Sequence, residues 1–233
     1  MKKALIAVVG AVLMAAAGVW FVGRPVYFRH QERRAAHQAA EFLRKGDPRN
    51  ASVSARRALR LNAHNLEACR VMAELNEAAR APGALDWRRR ISEISPTIEN
   101  KLRFAAAAMR SQGPPFTLAS QTLEELATSA EEVAGYHTLA GELALKLKRP
   151  AEAAAHFETA SRLEPTNELS RLNLAALRIG STNAEVAAAA RATLERLRAN
   201  GELRPIALRW LVADRLQKDD LPAADRYSDI TLA

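Results

Sequence analysis

Cysteine is nearly missing from this sequence, with one, Cys69, in 233 residues. No intramolecular disulfide and no cysteine-based metal site can be built from it. Aromatic residues make up only 5% of the chain, and glycine and proline number ten each. Beyond residue 22 there is no long run of valine, isoleucine and threonine, the composition that a β-sheet would need. Catalytic signatures are missing as well. There is no glycine-rich phosphate loop, no HExxH, no CxxC and no GxSxG. The chain is therefore read as a non-enzyme, with no cofactor and no metal.

What fills the space is alanine, which supplies much of the 48% hydrophobic fraction. Alanine is the strongest helix former and lets helices approach closely. The class is all-α. Cys69 falls in a helical stretch with apolar neighbours and reads as a buried small hydrophobe. The formal charge is +8, but the arginines are spread over many helices and interleaved with Glu and Asp. The dense runs are Arg33-Arg34, Arg56-Arg57 and Arg88-Arg89-Arg90. They read as solvated helix faces, and no nucleic-acid partner is expected.

Residues 4 to 22, ALIAVVGAVLMAAAGVWFV, carry no charge and follow Lys2 and Lys3. Nineteen residues span roughly 28 Å as a helix, close to the hydrocarbon thickness of a bilayer. Trp20 and Phe21 fall where interfacial rings belong. Residues 1 to 23 are read as a transmembrane anchor. A cleaved signal peptide with Ala15-Ala16-Ala17 as its small-residue site is the rival, although the apolar run continues past it to Val22. Residues 24 to 31 read as a basic juxtamembrane linker. The short n-region favours translocation of the body, whereas Arg24, Arg29, Arg33 and Arg34 favour its retention. The reading leans to a single-pass protein of a bacterial inner membrane with an extracytoplasmic body.

The rest of the chain repeats. ASVSARRALRLNAHN (residues 51 to 65) aligns with AAAHFETASRLEPTN (153 to 167) at an offset of 102 residues, three times 34. Ala51, Ala58, Leu61 and Asn65 meet Ala153, Ala160, Leu163 and Asn167. Breakers such as Gly46-Asp47-Pro48, Pro82-Gly83, Gly113-Pro114-Pro115 and Arg149-Pro150 give the same period, with a second set between them near Asn65, Pro96, Pro165 and Gly201. A break about every seventeen residues predicts helical hairpins. None can bury its apolar face alone, so neighbours must stack.

Residues 134 to 167 resemble a tetratricopeptide repeat. Gly141, Ala153, Phe157, Ala160 and Pro165 stand where that family has small, small, aromatic, small and proline. His137 and Ala144 replace its frequent Trp and Tyr. Weaker repeats start at residues 32, 66, 99, 168 and 202, and the last keeps Ala223, Tyr227 and Ile230. The expected architecture is an α-solenoid of about six hairpins over residues 32 to 233, after one N-terminal transmembrane helix. Because the apolar Leu221, Tyr227, Ile230 and Leu232 stand where a polar cap belongs, the domain is expected to continue or be capped beyond Ala233.

The resemblance implies a right-handed superhelix whose concave groove, lined by the first helix of each hairpin, binds a peptide or helix of a protein partner. The groove candidates are Arg70, Glu74, Glu77, Lys101, Phe104, Ser111, Thr138, Glu142 and Lys146. The function so implied is a membrane-tethered protein–protein interaction scaffold. The alternative is a docking or sensor portion of a longer enzyme or an envelope transport or secretion component. His137 and His156 share one hairpin, but no Asp, Glu or Cys completes a metal site at ligand spacing, so both read as packing or exposed residues.

Overall fold

Helix boundaries follow the capping and breaking residues. The computed structural model describes Trp20, residues 24 to 218 and Tyr227. Among these residues there are eleven helices and no strand: α1 (Arg24–Arg44), α2 (Pro48–Leu61), α3 (Leu66–Ala78), α4 (Ala84–Ile94), α5 (Ile98–Ser111), α6 (Thr117–Leu126), α7 (Ala134–Lys146), α8 (Pro150–Leu163), α9 (Glu168–Arg178), α10 (Ala184–Leu197) and α11 (Arg204–Gln217). Asp47, Asn65, Asn167 and Asn183 cap α2, α3, α9 and α10, each side-chain oxygen accepting a free N–H of the first turn. Pro48, Pro150 and Pro205 occupy the first turn of α2, α8 and α11, where the missing N–H costs nothing. Gly46 turns the chain between α1 and α2 with φ +73°.

The apolar run at residues 4 to 22 lies outside the described residues except for Trp20, as do Ala223 and Ile230. Among the described residues no helix is long and apolar enough to cross a membrane. Residues 24 to 31, read from the sequence as a linker, form the first two turns of α1. Nothing in that stretch opposes a helix, since Pro25 sits in the first turn, where proline is tolerated.

The chain divides into two compact units, residues 1–107 and 108–233, and the boundary falls inside α5. In the first unit α1 packs on α2 and α3, and α3 packs on α2 and α4. Contact between a helix and the next but one is what stacked hairpins produce. The core is Ala35, Ala36, Ala39, Ala51, Ala55, Ala58, Ala68, Val71 and Met72, flanked by Phe42, Leu43, Leu59, Leu75 and Trp87. Seven of those nine buried residues are alanine. A buried methyl contributes about 0.8 kcal/mol and a buried leucine or phenylalanine about 1.5–3. This core therefore depends on many close contacts between thin helices. Cys69, with Ala73 and Ile91, fills a second cluster, and its burial pushes the thiol pKa up.

The second unit is built from larger side chains. Here α6 packs on α7, α7 on α8, α8 on α9, α9 on α10 and α11, and α10 on α11. Leu172, Ala175, Ile179, Ala190, Leu194, Leu197, Ala207 and Leu211 form one cluster, with Tyr227 against it. Phe157, Ala144 and Ala153 form another under Leu174 and Leu177.

One polar device recurs at both ends of the chain. Glu32 Oε1 accepts from the amides of Asn62 and Asn65 at 2.8 and 2.7 Å, and Glu168 Oε2 accepts from the amide of Asn200 at 2.5 Å. Glu32 and Glu168 stand four repeat lengths apart, at equivalent repeat positions. In each case the bond ties the first helix of a hairpin to the loop that follows the second.

Candidate functional site

In the first unit, Arg70 and Glu74 lie one turn apart on α3 and both are exposed. Glu77, on the same helix, is different. Its carboxylate accepts two hydrogen bonds from Arg88 of α4, 2.9 Å to Nε and 2.6 Å to Nη2. The Arg88 side chain is only 6% exposed, and the Glu77 hydrogen bonds raise its pKa above the ordinary arginine value. The reading of Arg88-Arg89-Arg90 as solvated is corrected at its first member. Successive helical residues point about 100° apart, so three in a row cannot all avoid the buried side. Arg88 shares that side with buried Ile91, one turn on. Lys101 and Phe104 are half-buried on α5, and the Arg89 guanidinium stands 5.9 Å from the centre of the Phe104 ring.

In the second unit, Ser111 is exposed at the end of α5. Thr138 is half-buried, and its hydroxyl is engaged within the fold. Its hydroxyl donates to the Ala134 carbonyl at 3.0 Å, so the fully buried Ser170 hydroxyl donates to it at 2.8 Å, joining α7 to α9. Glu142 and Lys146 lie one turn apart on α7. Glu142 is half-buried, and burial pushes its carboxyl pKa above the ordinary value against the pull of Lys146 and Arg110. The Lys146 ammonium stands 5.6 Å from the centre of the Phe116 ring. Phe116 is 6% exposed and holds a left-handed backbone, φ 56°, just before α6. A partly desolvated carboxylate on α7 therefore feels two cations, Lys146 one turn away and Arg110 on α5, and an aromatic ring lies near the first of them. Such an arrangement suits a partner chain that brings its own charged and apolar groups.

Sequence reasoning missed Arg110 and Phe116. The Gly113-Pro114-Pro115 breaker marks the turn, but nothing in the pattern says which ring it presents. A shallow groove of about 290 Å³ between α8, α9 and α10 went equally unforeseen. Leu174, Val186 and Ala189 line it beside Arg171 and Arg178. The Ser161 hydroxyl at its wall is buried without a hydrogen-bond partner among the described residues.

No protein-family profile matches the chain, and no curated protein matches it. Solved structures do resemble it. PilF of Pseudomonas aeruginosa superposes with a TM-score of 0.67 at 18% identity, over 86% of this chain and 90% of that one. MamA of RS-1 gives 0.61 at 16% identity, over 72% and 95%. TTC0263, a thermophilic TPR protein of Thermus thermophilus, gives 0.55 at 20% identity, over 78% and 99%. The chain has the tetratricopeptide fold.

In that register the small residues of the fourth repeat meet a ring. Gly141 of α7 faces Phe157 of α8, and Ala153, Phe157 and Ala160 are fully buried. Pro165 is exposed just past the end of α8. His137, where the family often has tryptophan, pairs instead with His156, the two Nδ1 atoms 3.1 Å apart. The Tyr136 ring packs edge-on against both imidazoles. Among the described residues no group of three His, Cys, Asp or Glu side chains could hold a metal ion.

Proposed function

We propose that this protein is a membrane-tethered scaffold that holds a peptide or helix of a protein partner against the first helices of its hairpins. The observation that carries the reading is the Glu142 carboxylate, half-buried on α7 one turn from Lys146 and drawn by the charges of Lys146 and Arg110, with the Phe116 ring near the Lys146 ammonium. Burying a carboxylate disfavours its charged form, so a partner that brings a cation or N–H donors relieves a cost already present. Arg70 and Glu74 on α3 supply exposed charge of both signs, which suits a peptide of mixed charge better than a polyanion. Residues 4 to 22 supply the tether, in a bacterial inner membrane with the body outside the cytoplasm. Glu77 and Thr138 support the face from within.

Photo-crosslinking in native membranes tests this. Crosslinkers at Ser111 and Lys146, both of the second unit, are expected to capture one and the same protein, and a crosslinker at Arg70 tests the first unit by itself. A crosslinker at Arg196, exposed on the second helix α10, is expected not to capture that protein. Equal capture from Ser111, Lys146 and Arg196 overturns the assignment of the face. Deleting residues 1 to 23 is expected to release the body into the soluble fraction, and a reporter fused after Ala233 gives the sidedness.

A further inference from the structure

The first turns of α1 stand apart from the rest of the first unit. From Arg24 to His30 every residue is exposed. Hydrogen bonding to α2 and the loop after it begins at Gln31, whose side-chain Oε1 accepts from Arg57 at 3.2 Å, and at Glu32, bonded to Asn62 and Asn65. Seven residues therefore project, about 10 Å of helix. Their composition is unlike that of other exposed segments. Val26 is 60%, Tyr27 59% and Phe28 40% exposed, and Trp20 before them is 60% exposed. The Arg24 guanidinium lies over two of these rings, 4.6 Å from Trp20 and 5.5 Å from Phe28. Arg29, Arg33 and Arg34 are exposed on the same helix, Arg57 is exposed beside it on α2, and no acidic residue occurs between Trp20 and Gln31.

Water is a poor solvent for such a collar, and an anionic membrane interface is a good one. Aromatic rings concentrate at headgroup level, and each arginine near an anionic surface adds about 1 kcal/mol of attraction. The circumferential placement decides the orientation. A helix lying in the interface gathers its apolar residues on one face. Val26, Tyr27 and Phe28 are consecutive and so point in three directions about 100° apart. That arrangement fits a helix standing through the headgroup layer, surrounded by it.

We infer that the projecting turns of α1, with Trp20, form an aromatic and basic collar that passes upright through a layer of anionic phospholipid headgroups. The inference rests on the tether proposed above. It adds that α1 carries the membrane contact directly into the first hairpin, so that hairpin is held at a fixed height by a helix that is also part of its core. Ala35, Ala36 and Ala39, about one and a half to two and a half turns beyond the collar, belong to that core.

Spin labels test it in the full chain, reconstituted into vesicles of phosphatidylcholine with or without one-third phosphatidylglycerol. Cysteines are introduced singly at Val26, Tyr27 and Phe28, with Val53, exposed on α2, as the water reference. Cys69 is buried and should stay unlabelled in the folded chain, which labelling of the unsubstituted chain checks. With phosphatidylglycerol, all three sites are expected to collide more with oxygen and less with a water-soluble nickel chelate than Val53 does. The three sites should read similar depths. Replacing Arg24 and Arg29 together by glutamine should shift them toward the Val53 value, with an unchanged circular-dichroism spectrum. Three labels that read like Val53 while the chain stays in the vesicles overturn the collar and leave the tether standing. One buried site flanked by wet ones overturns the upright orientation. A chain that does not stay with the vesicles overturns the tether, and the collar with it.

Discussion

A Cβ placed on Gly141 would stand 2.8 Å from Cε1 and 2.9 Å from Cζ of Phe157. Carbon atoms do not pack that closely, so α7 and α8 approach at a distance that only glycine permits. Phe157 is fully buried and wedged among Ala144, Ala153, Leu174 and Leu177, so the ring has nowhere to swing. Gly141→Ala gains about 1 kcal/mol of helix propensity but overpacks the joint by about 1–3 kcal/mol. A net loss is expected in urea or thermal unfolding, larger still for Gly141→Val. Combining Gly141→Ala with Phe157→Leu should lose less than the two single losses added together, because the two residues share one space.

The Glu77–Arg88 pair makes a second prediction. Removing the carboxylate leaves a guanidinium buried without its two acceptors. Glu77→Ala is expected to cost about 3 kcal/mol, the low end for a broken buried pair, because Glu77 keeps 26% of its side chain exposed. Replacing both residues, Glu77→Gln with Arg88→Met, should recover much of the loss, as denaturant midpoints would report. A Glu77→Ala variant that is as stable as the parent contradicts a structural role for this residue.

Acid should loosen the α7–α8 hairpin. His137 Nε2 faces the Glu131 carbonyl at 2.8 Å and must donate to it, so in the neutral pair His137 Nδ1 accepts the Nδ1–H of His156. Burial first, and then the neighbouring His137, holds the His156 pKa below its ordinary value, while Glu152 pulls it up. A histidine with a lowered folded pKa binds its proton more readily in the unfolded chain. Stability is therefore full above about pH 6.5, the unfolded value, and declines as pH falls through it toward the folded value. His156→Asn is expected to flatten that decline. Nitrogen chemical shifts of the imidazoles, read at neutral pH, should show an Nε2–H tautomer at His137 and an Nδ1–H tautomer at His156.

Glu142 should behave in the opposite sense to an ordinary surface carboxylate. Its folded pKa is raised by burial, so the unfolded chain ionises first and stability falls as pH rises through the folded value. Glu142→Gln is expected to raise the unfolding temperature at pH 7 and leave it unchanged at pH 4. If the residue serves a partner, the same variant should weaken crosslinking from Lys146. A loss of stability at pH 7 would show that the carboxylate is satisfied in the free protein.

Much of the architecture was legible because it is periodic. Alanines at repeat spacing, Asn65 and Asn167 at equivalent positions, and breakers every half repeat fix where helices begin and end through local chemistry alone. The candidate face was only half legible. Register placed Arg70, Glu74, Glu142 and Lys146 on first helices, but it could not separate them from Glu77 and Thr138. Those two use their polar groups on Arg88 and Ser170, residues of other helices whose approach no single-helix pattern encodes.

Sequence by itself determined the helical hairpins, their period and the mixed charge of the first helices, since each follows from caps, breakers and spacing within some seventeen residues. Tertiary structure alone decided which arginine is buried, which histidines share a proton and which carboxylate loses its water. Those outcomes depend on the distance and rotation between neighbouring helices. Helix separation is set by residues as small as Gly141 and as large as Phe157 acting together, and only packing in three dimensions brings such residues into contact.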